Sequence, residues 1–275
     1  MKRISALILL VLAGCSSSVP ENSNHVNSIL FTGDGERQPL LVGLGGSEGG
    51  NAWAGDRWKP TRDSLVNRGY AFLAVGYFGM KGTAGQLDRV AIEAVHDAIL
   101  EAQKDPKVDA GRVAIIGGSK GAELALLLAS YYPDIKCVVA LVPGNCAFPA
   151  LTLAATTSSW TLQGEEVPFV PMPWAAVPSA LKHDLRQAFT IMLQDTAAVE
   201  KALIPVEKIN GPVLLLSATR DEMWPSTEMS NAMMQRLTLK HFSYPYVHKV
   251  IEGGHTDVLD HFDLVIDFLQ VHFPV

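Results

Sequence analysis

Charge is scarce in this chain. Of 275 residues only 18% are Asp, Glu, Lys or Arg, while 48% are hydrophobic. That balance excludes a disordered chain, which needs low hydrophobicity and high charge. No Lys/Arg stripe stands out and the net charge is −6, so nucleic acid is not expected as a partner. Only three cysteines are present, with no Cys/His cluster at metal-ligand spacing and no His-Glu-x-x-His. Neither a metal nor an organic cofactor is therefore expected. The 23 Gly and 16 Pro follow no triplet period, which excludes a fibrous chain. No apolar run reaches the roughly 20 residues of a membrane-spanning helix. What remains is a globular chain, and α/β domains often run to about 250 residues as one unit.

The N-terminus has another character. Lys2 and Arg3 precede an apolar stretch, Ile4 to Leu12, which reads as a secretory signal. It ends in Leu12-Ala13-Gly14-Cys15 followed by Ser16-Ser17-Ser18. This resembles the lipobox of bacterial lipoproteins, where the signal is cut before an acylated Cys. The expected organisation is a signal over 1–14, lipidation at Cys15, a Ser/Asn/Pro-rich tether over 15–25 and one domain over 26–275. The membrane partner is then met through the lipid anchor, in the cell envelope. Ser16 in place of the retention Asp favours an outer membrane.

Short apolar runs predict strands at Val26–Phe31, Leu40–Leu44, Ala71–Tyr77, Val113–Ile116, Cys137–Leu141, Val213–Leu216 and Tyr246–Ile251. Near-continuous apolar strands suit a sheet covered on both faces. Between them, Leu87, Val90, Ala91, Ala94, Val95, Ala98 and Ile99 recur at helical spacing. Ala122–Tyr131, Ser226–Leu237 and Leu259–Val271 read as further helices. Alternating strands and helices imply an α/β fold with a mainly parallel sheet and helices on both faces. From about 148 to 205 no strand is evident, and Pro and large apolar residues abound. A stretch this long suggests a lid-like insertion. Its Trp160, Phe169 and Trp174, with Trp224 beyond it, are the candidate lining of an acyl pocket. Cys137 is expected as a small buried apolar residue, with no disulfide to Cys146.

The strongest motif is Gly117-Gly118-Ser119-Lys120-Gly121, placed between a strand and an apolar helix. That is the context of a nucleophile elbow, where a serine sits on a strained turn and the glycines avoid collision. A Walker A reading fails on spacing. The near G-x-G-x-x-G at Gly43 fails because Glu48 holds its last position. A serine hydroxyl needs a base. His255 follows the last strand on a Gly-rich loop, where open α/β sheets bind ligands. A carboxylate must orient that base. Asp221, after the Val213–Leu216 strand, is the candidate, with Glu222 as runner-up. The chain order Ser119, Asp221, His255 is that of the α/β-hydrolases. Backbone N–H groups of Lys120 and of Ser47 or Glu48 are the candidate oxyanion donors.

These segments resemble the catalytic domain of the acyl-CoA thioesterase / bile acid-CoA:amino acid N-acyltransferase family, close to the dienelactone hydrolases. The similarity rests on Leu41 to Ser47, Arg68 to Phe78, Ile116 to Leu124 with its Ser-Lys-Gly-x-Glu-Leu, Ile204 to Glu207, Asp221 to Ser226 and Gly254-His255. The resemblance implies an α/β-hydrolase fold, a triad at Ser119, Asp221 and His255, and an acyl ester or thioester as small-molecule substrate. Some relatives use Cys as nucleophile; Ser119 favours hydrolysis. Family thioesterases carry an N-terminal β-sandwich, whereas about ten tether residues precede the first strand here. An exported enzyme would also meet little acyl-CoA. Ester hydrolysis, acyl transfer to an amine and a non-catalytic binding role on the same fold stay open at this point.

Overall fold

The computed structural model describes residues 19–275. The expected signal, Cys15 and residues 16–18 lie outside the described residues. Residues 19–25 were expected as tether. They form a hydrogen-bonded turn instead, in which the Ser23 carbonyl accepts the Ala91 N–H at 2.9 Å.

All seven expected strands exist and form one sheet: β1 (Asn27–Phe31), β2 (Gln38–Leu44), β3 (Ala71–Gly76), β5 (Val108–Gly118), β6 (Ile135–Leu141), β9 (Val213–Ala218) and β10 (Tyr246–Ile251). Their order across the sheet is β1-β3-β2-β5-β6-β9-β10. Only β1 runs antiparallel, on β3. The other neighbours are parallel, so β2, β5, β9 and β10 all end at the same edge. This is the α/β-hydrolase architecture. β5 is longer than its apolar run because Val108 and Asp109 still pair with Gln38 and Pro39; the register then shifts at Pro39/Leu40.

Every residue of β2, β3 and β9 is buried, which is why they lack polar alternation. Successive side chains feed opposite faces. Leu40, Val42, Val113, Ile115 and Leu215 pack on one side with α3 (Lys120–Tyr131), α2 (Ile92–Ala102) and α7 (Ser226–Leu239). Leu41, Phe72, Ile116, Val139 and Leu214 pack on the other with α1 (Lys59–Asn67) and α8 (Phe262–His272). α3 is buried from Lys120 to Ser130, as its all-round apolar sequence requires.

One expected helix is shorter than its periodicity. Leu87 to Ala91 lie before α2, and Val90–Ala91 form a short strand, β4. Val90 donates to the Ser159 carbonyl at 2.9 Å, and β4 pairs with β7 (Trp160–Leu162). Leu87, Val90 and Ala91 are buried in that extended arrangement, so burial alone could not tell it from a helix.

The insertion also differs from expectation. It contains β7 and β8 (Glu165–Glu166), an antiparallel pair, then α4 (Val177–Leu181), α5 (Leu185–Met192) and α6 (Thr196–Ala202). Its Phe148, Val170, Ala188 and Met192 form a small core together with Cys146, Trp224 and Met229 from outside it. Trp160 is wholly buried, not a pocket residue. Its Nε1–H donates to Glu123 Oε1 at 2.6 Å. Glu123, also wholly buried, accepts the Phe148 N–H at 3.1 Å and both oxygens meet Lys120 Nζ at 2.9 and 2.8 Å. Burial draws the Lys120 ammonium below its ordinary range, and Glu123 opposes that shift. The carboxylate thus fastens the insertion to the first turn of α3. Trp160→Phe keeps one aromatic ring but removes the pyrrole part of the indole, and with it a donor to a buried charge. Urea denaturation should show a loss of about 3 kcal/mol or more from the lost bond and the space left behind; an unchanged midpoint would show that this residue does not hold the insertion.

Candidate active site

Ser119 stands between β5 and α3 with φ 54° and ψ −119°, a conformation that costs a side-chain-bearing residue energy. Its N–H donates to the Leu141 carbonyl at 2.9 Å, and its carbonyl accepts the Ala122 N–H at 2.9 Å. The flanking glycines are obligatory. A Cβ on Gly117 would lie 2.1 Å from the Gly121 carbonyl oxygen, and one on Gly121 2.2 Å from that of Gly45. The elbow and the Gly45 loop therefore touch backbone to backbone. Tyr77 holds the loop from behind, its hydroxyl donating to the Gly45 carbonyl at 2.6 Å.

His255 Nδ1 lies 2.8 Å from Asp221 Oδ1. With Asp221 ionised, Nδ1 carries the proton, and Nε2 is left as the base. Asp221 is fully buried three residues beyond β9, and Oδ1 also accepts the N–H groups of Met223 and Trp224 at 3.0 and 3.2 Å. Glu222, the runner-up, does another job. It accepts the His255 backbone N–H at 2.9 Å and so fixes the loop instead of the ring. Arg186 of α5 donates to the Asp221 carbonyl at 2.9 Å. The insertion thus braces the acid loop, a role its sequence did not announce.

Ser119 and His255 face one cleft of about 490 Å³ at the sheet edge where β2, β5 and β9 end. No hydrogen bond joins Ser119 to His255 among the described residues; resting sites often tighten only with substrate. Ser47 and Glu48 are on the cleft wall, and their N–H groups meet no acceptor among the described residues. Lys120 offers only its backbone N–H, because its side chain is buried against Glu123.

The expected pocket residues are elsewhere. Trp160 is core, Trp174 is 89% exposed, and Phe169 borders a separate depression with Pro168 and Pro171. Trp224 is buried behind the imidazole, 6.1 Å between ring centres, with Nε1–H on the Val142 carbonyl at 3.0 Å. The apolar wall comes instead from Trp53, Trp58, Leu141, Val142, Met223 and Leu259. Trp53 and Trp58 stack at 4.2 Å, and Arg62 anchors Trp53 by its carbonyl at 2.8 Å. The pair follows the Gly-rich loop by a few residues, a proximity that could have been noticed. Val142 at φ 45° is a β-branched residue in the left-handed region, held by its N–H on Leu216 and its carbonyl on Trp224, with no signal in sequence. No group of three or more His, Cys, Asp or Glu among the described residues is arranged to hold a metal. Cys137 and Cys146 are free and buried, and burial pushes both thiols up.

Residues 90–257, well over half of the chain, match the family described as BAAT / Acyl-CoA thioester hydrolase C terminal. The chain belongs to that family. Among curated relatives of this BAAT-type domain, Acyl-coenzyme A thioesterase 6 of Mus musculus is 28% identical over 238 residues, 86% of this chain and 53% of that protein. Acyl-coenzyme A amino acid N-acyltransferase 1 of Mus musculus is 27% identical over 175 residues, 63% of this chain and 39% of that protein. The chain spans about half or less of the length of these relatives. Among solved structures, the acylaminoacyl peptidase of Pyrococcus horikoshii superposes with a TM-score of 0.62 at 16% identity, over 89% of this chain and 39% of that one. Acetyl xylan esterase 1 of Thermoanaerobacterium gives 0.57 at 17% identity, over 88% and 78%. At such identities the likeness shows a shared α/β-hydrolase fold. The BAAT-type elbow depends on Gly121 lying on Gly45. Gly121→Ala should lower stability by several kcal/mol, on the order of 3 or more, seen as a lower denaturant midpoint; a fully stable variant would refute the contact.

Proposed function

We propose that this chain is a serine hydrolase of acyl thioesters or esters working through an acyl-enzyme. The observation that carries the reading is the convergence of Ser119, on a strained elbow, and the Asp221–His255 pair on one cleft. In this mechanism His255 Nε2 takes the hydroxyl proton as Ser119 Oγ attacks the acyl carbonyl. Asp221 keeps the imidazole in the right tautomer and stabilises the imidazolium. The N–H of Lys120 and that of Ser47 or Glu48 receive the oxyanion. Collapse of the tetrahedral adduct expels the thiol or alcohol, which takes the proton from His255. Water, activated by His255, then attacks the acyl-Ser119 ester and frees the acid.

The acyl group would lie against Trp53, Trp58 and Leu259. The relatives named as acyl-CoA thioesterases favour thioesters, but a cell-envelope location would favour other acyl donors. That location follows from the proposed lipid on Cys15. Cells grown with labelled palmitate should incorporate it into the wild type and not into Cys15→Ser; a wild type that takes up no fatty acid would end the anchor proposal.

Ser119→Ala should lower kcat/KM on aryl esters and acyl thioesters by about 10⁴ or more, and Asp221→Asn by about 10⁴. A fluorophosphonate probe should label the wild type at Ser119 and not the alanine variant. An active Ser119→Ala enzyme would refute the mechanism, and an unlabelled, inactive wild type would favour a binding role.

A further inference from the structure

Glu48 is not used by the mechanism except through its backbone, yet its carboxylate lies inside the working part of the cleft. A methyl group placed on Gly46 would lie 2.9 Å from Glu48 Oε2 and 3.2 Å from Ser119 Cβ, so both side chains border the same point. Oε1 would lie 3.0 Å from a methyl on Gly45. The carboxylate thus rests along the two glycines beside the proposed oxyanion donors. It makes no hydrogen bond and no ion pair among the described residues. No other charge around the cleft pairs with it. Glu222 is a second carboxylate on the same wall, and it accepts the His255 N–H. Arg57 is on the wall but has no carboxylate within 4 Å among the described residues. Lys120, one residue from the nucleophile, is buried with Glu123.

An anion in this position is unhelpful for a neutral acyl group, because it opposes the negative charge that develops on the carbonyl oxygen. It becomes useful when the acyl group brings a cation close to the carbonyl. Covering the carboxylate then removes its water, and an opposite charge replaces that solvation. We propose that Glu48 is a specificity residue that makes the cleft prefer acyl groups with a positive charge next to the scissile carbonyl, such as α-ammonium acyl esters, over neutral and anionic ones. The inference rests on the serine-hydrolase reading above.

Three methyl esters separate charge from shape: betaine methyl ester with its permanent trimethylammonium group, methyl 3,3-dimethylbutanoate with a tert-butyl group in its place, and monomethyl malonate. Each is followed in a pH-stat with wild type, Glu48→Gln and Ser119→Ala. Glu48→Gln keeps the backbone N–H, and taking its ratio to wild type for each ester cancels differences in intrinsic reactivity. Expected is a crossover. kcat/KM for the cationic ester falls about tenfold or more, while it rises several-fold for the neutral ester and most for the anionic one. If Glu48→Gln changes all three by one common factor, or if the wild type cleaves the neutral ester but excludes the cationic one, the inference is overturned and the hydrolase reading stands. If no ester, simple aryl esters included, is cleaved in a Ser119-dependent way, both are overturned.

Discussion

The site depends on one close contact between two backbones. The first turn of α3 presses Gly121 onto the carbonyl of Gly45 at the end of β2, while Gly117 passes under the Gly121 carbonyl. No side chain fits at either place, and the chain between them is forced through the positive-φ conformation of Ser119. This contact lifts the hydroxyl clear of the sheet. It also sets the loop after β2 against the first turn of α3. Strain at the serine persists because α3 is anchored along its whole length by burial.

A second constraint keeps that arrangement in place. Glu123 is a carboxylate with no access to water, and such a group is tolerated only with its donors in place. Its donors come from three segments: Lys120 on the elbow helix, Phe148 after β6 and Trp160 in the insertion. Trp160 in turn packs on Tyr77, whose hydroxyl supports the Gly45 loop. The insertion behaves as a brace, with Arg186 on the Asp221 loop repeating the theme on the other side of the cleft. Trp160 does not line the cleft for this reason: it is spent on attaching the insertion.

What was legible followed from period and context. Seven apolar runs bounded by turns announced seven strands, and a strand–Gly-x-Ser-x-Gly–helix sequence announced the elbow. Leu87 to Ala91 misled because apolar spacing reports burial, and a buried bend with a two-residue strand satisfies it as well as a helical turn. Trp174 misled in the opposite way: a large apolar residue in a long loop is 89% exposed and touches no part of the cleft. Phe169 and Trp160 pack with the core on the α3 face of the sheet and take no part in the cleft wall.

By itself the sequence determined the seven strands of the main sheet and nominated a serine, an acid and an imidazole as candidates, because turn chemistry and strand context are local properties. It ranked Asp221 ahead of Glu222 as acid candidate, and in the fold it is Asp221 that meets His255 Nδ1. Only tertiary structure decided which walls close the cleft, that Glu48 turns its carboxylate into it, and that Lys120 turns away toward Glu123. These outcomes depend on which side chains from distant segments compete for the same space and the same hydrogen-bond donors. That competition is set by packing, and no run of neighbouring residues encodes it.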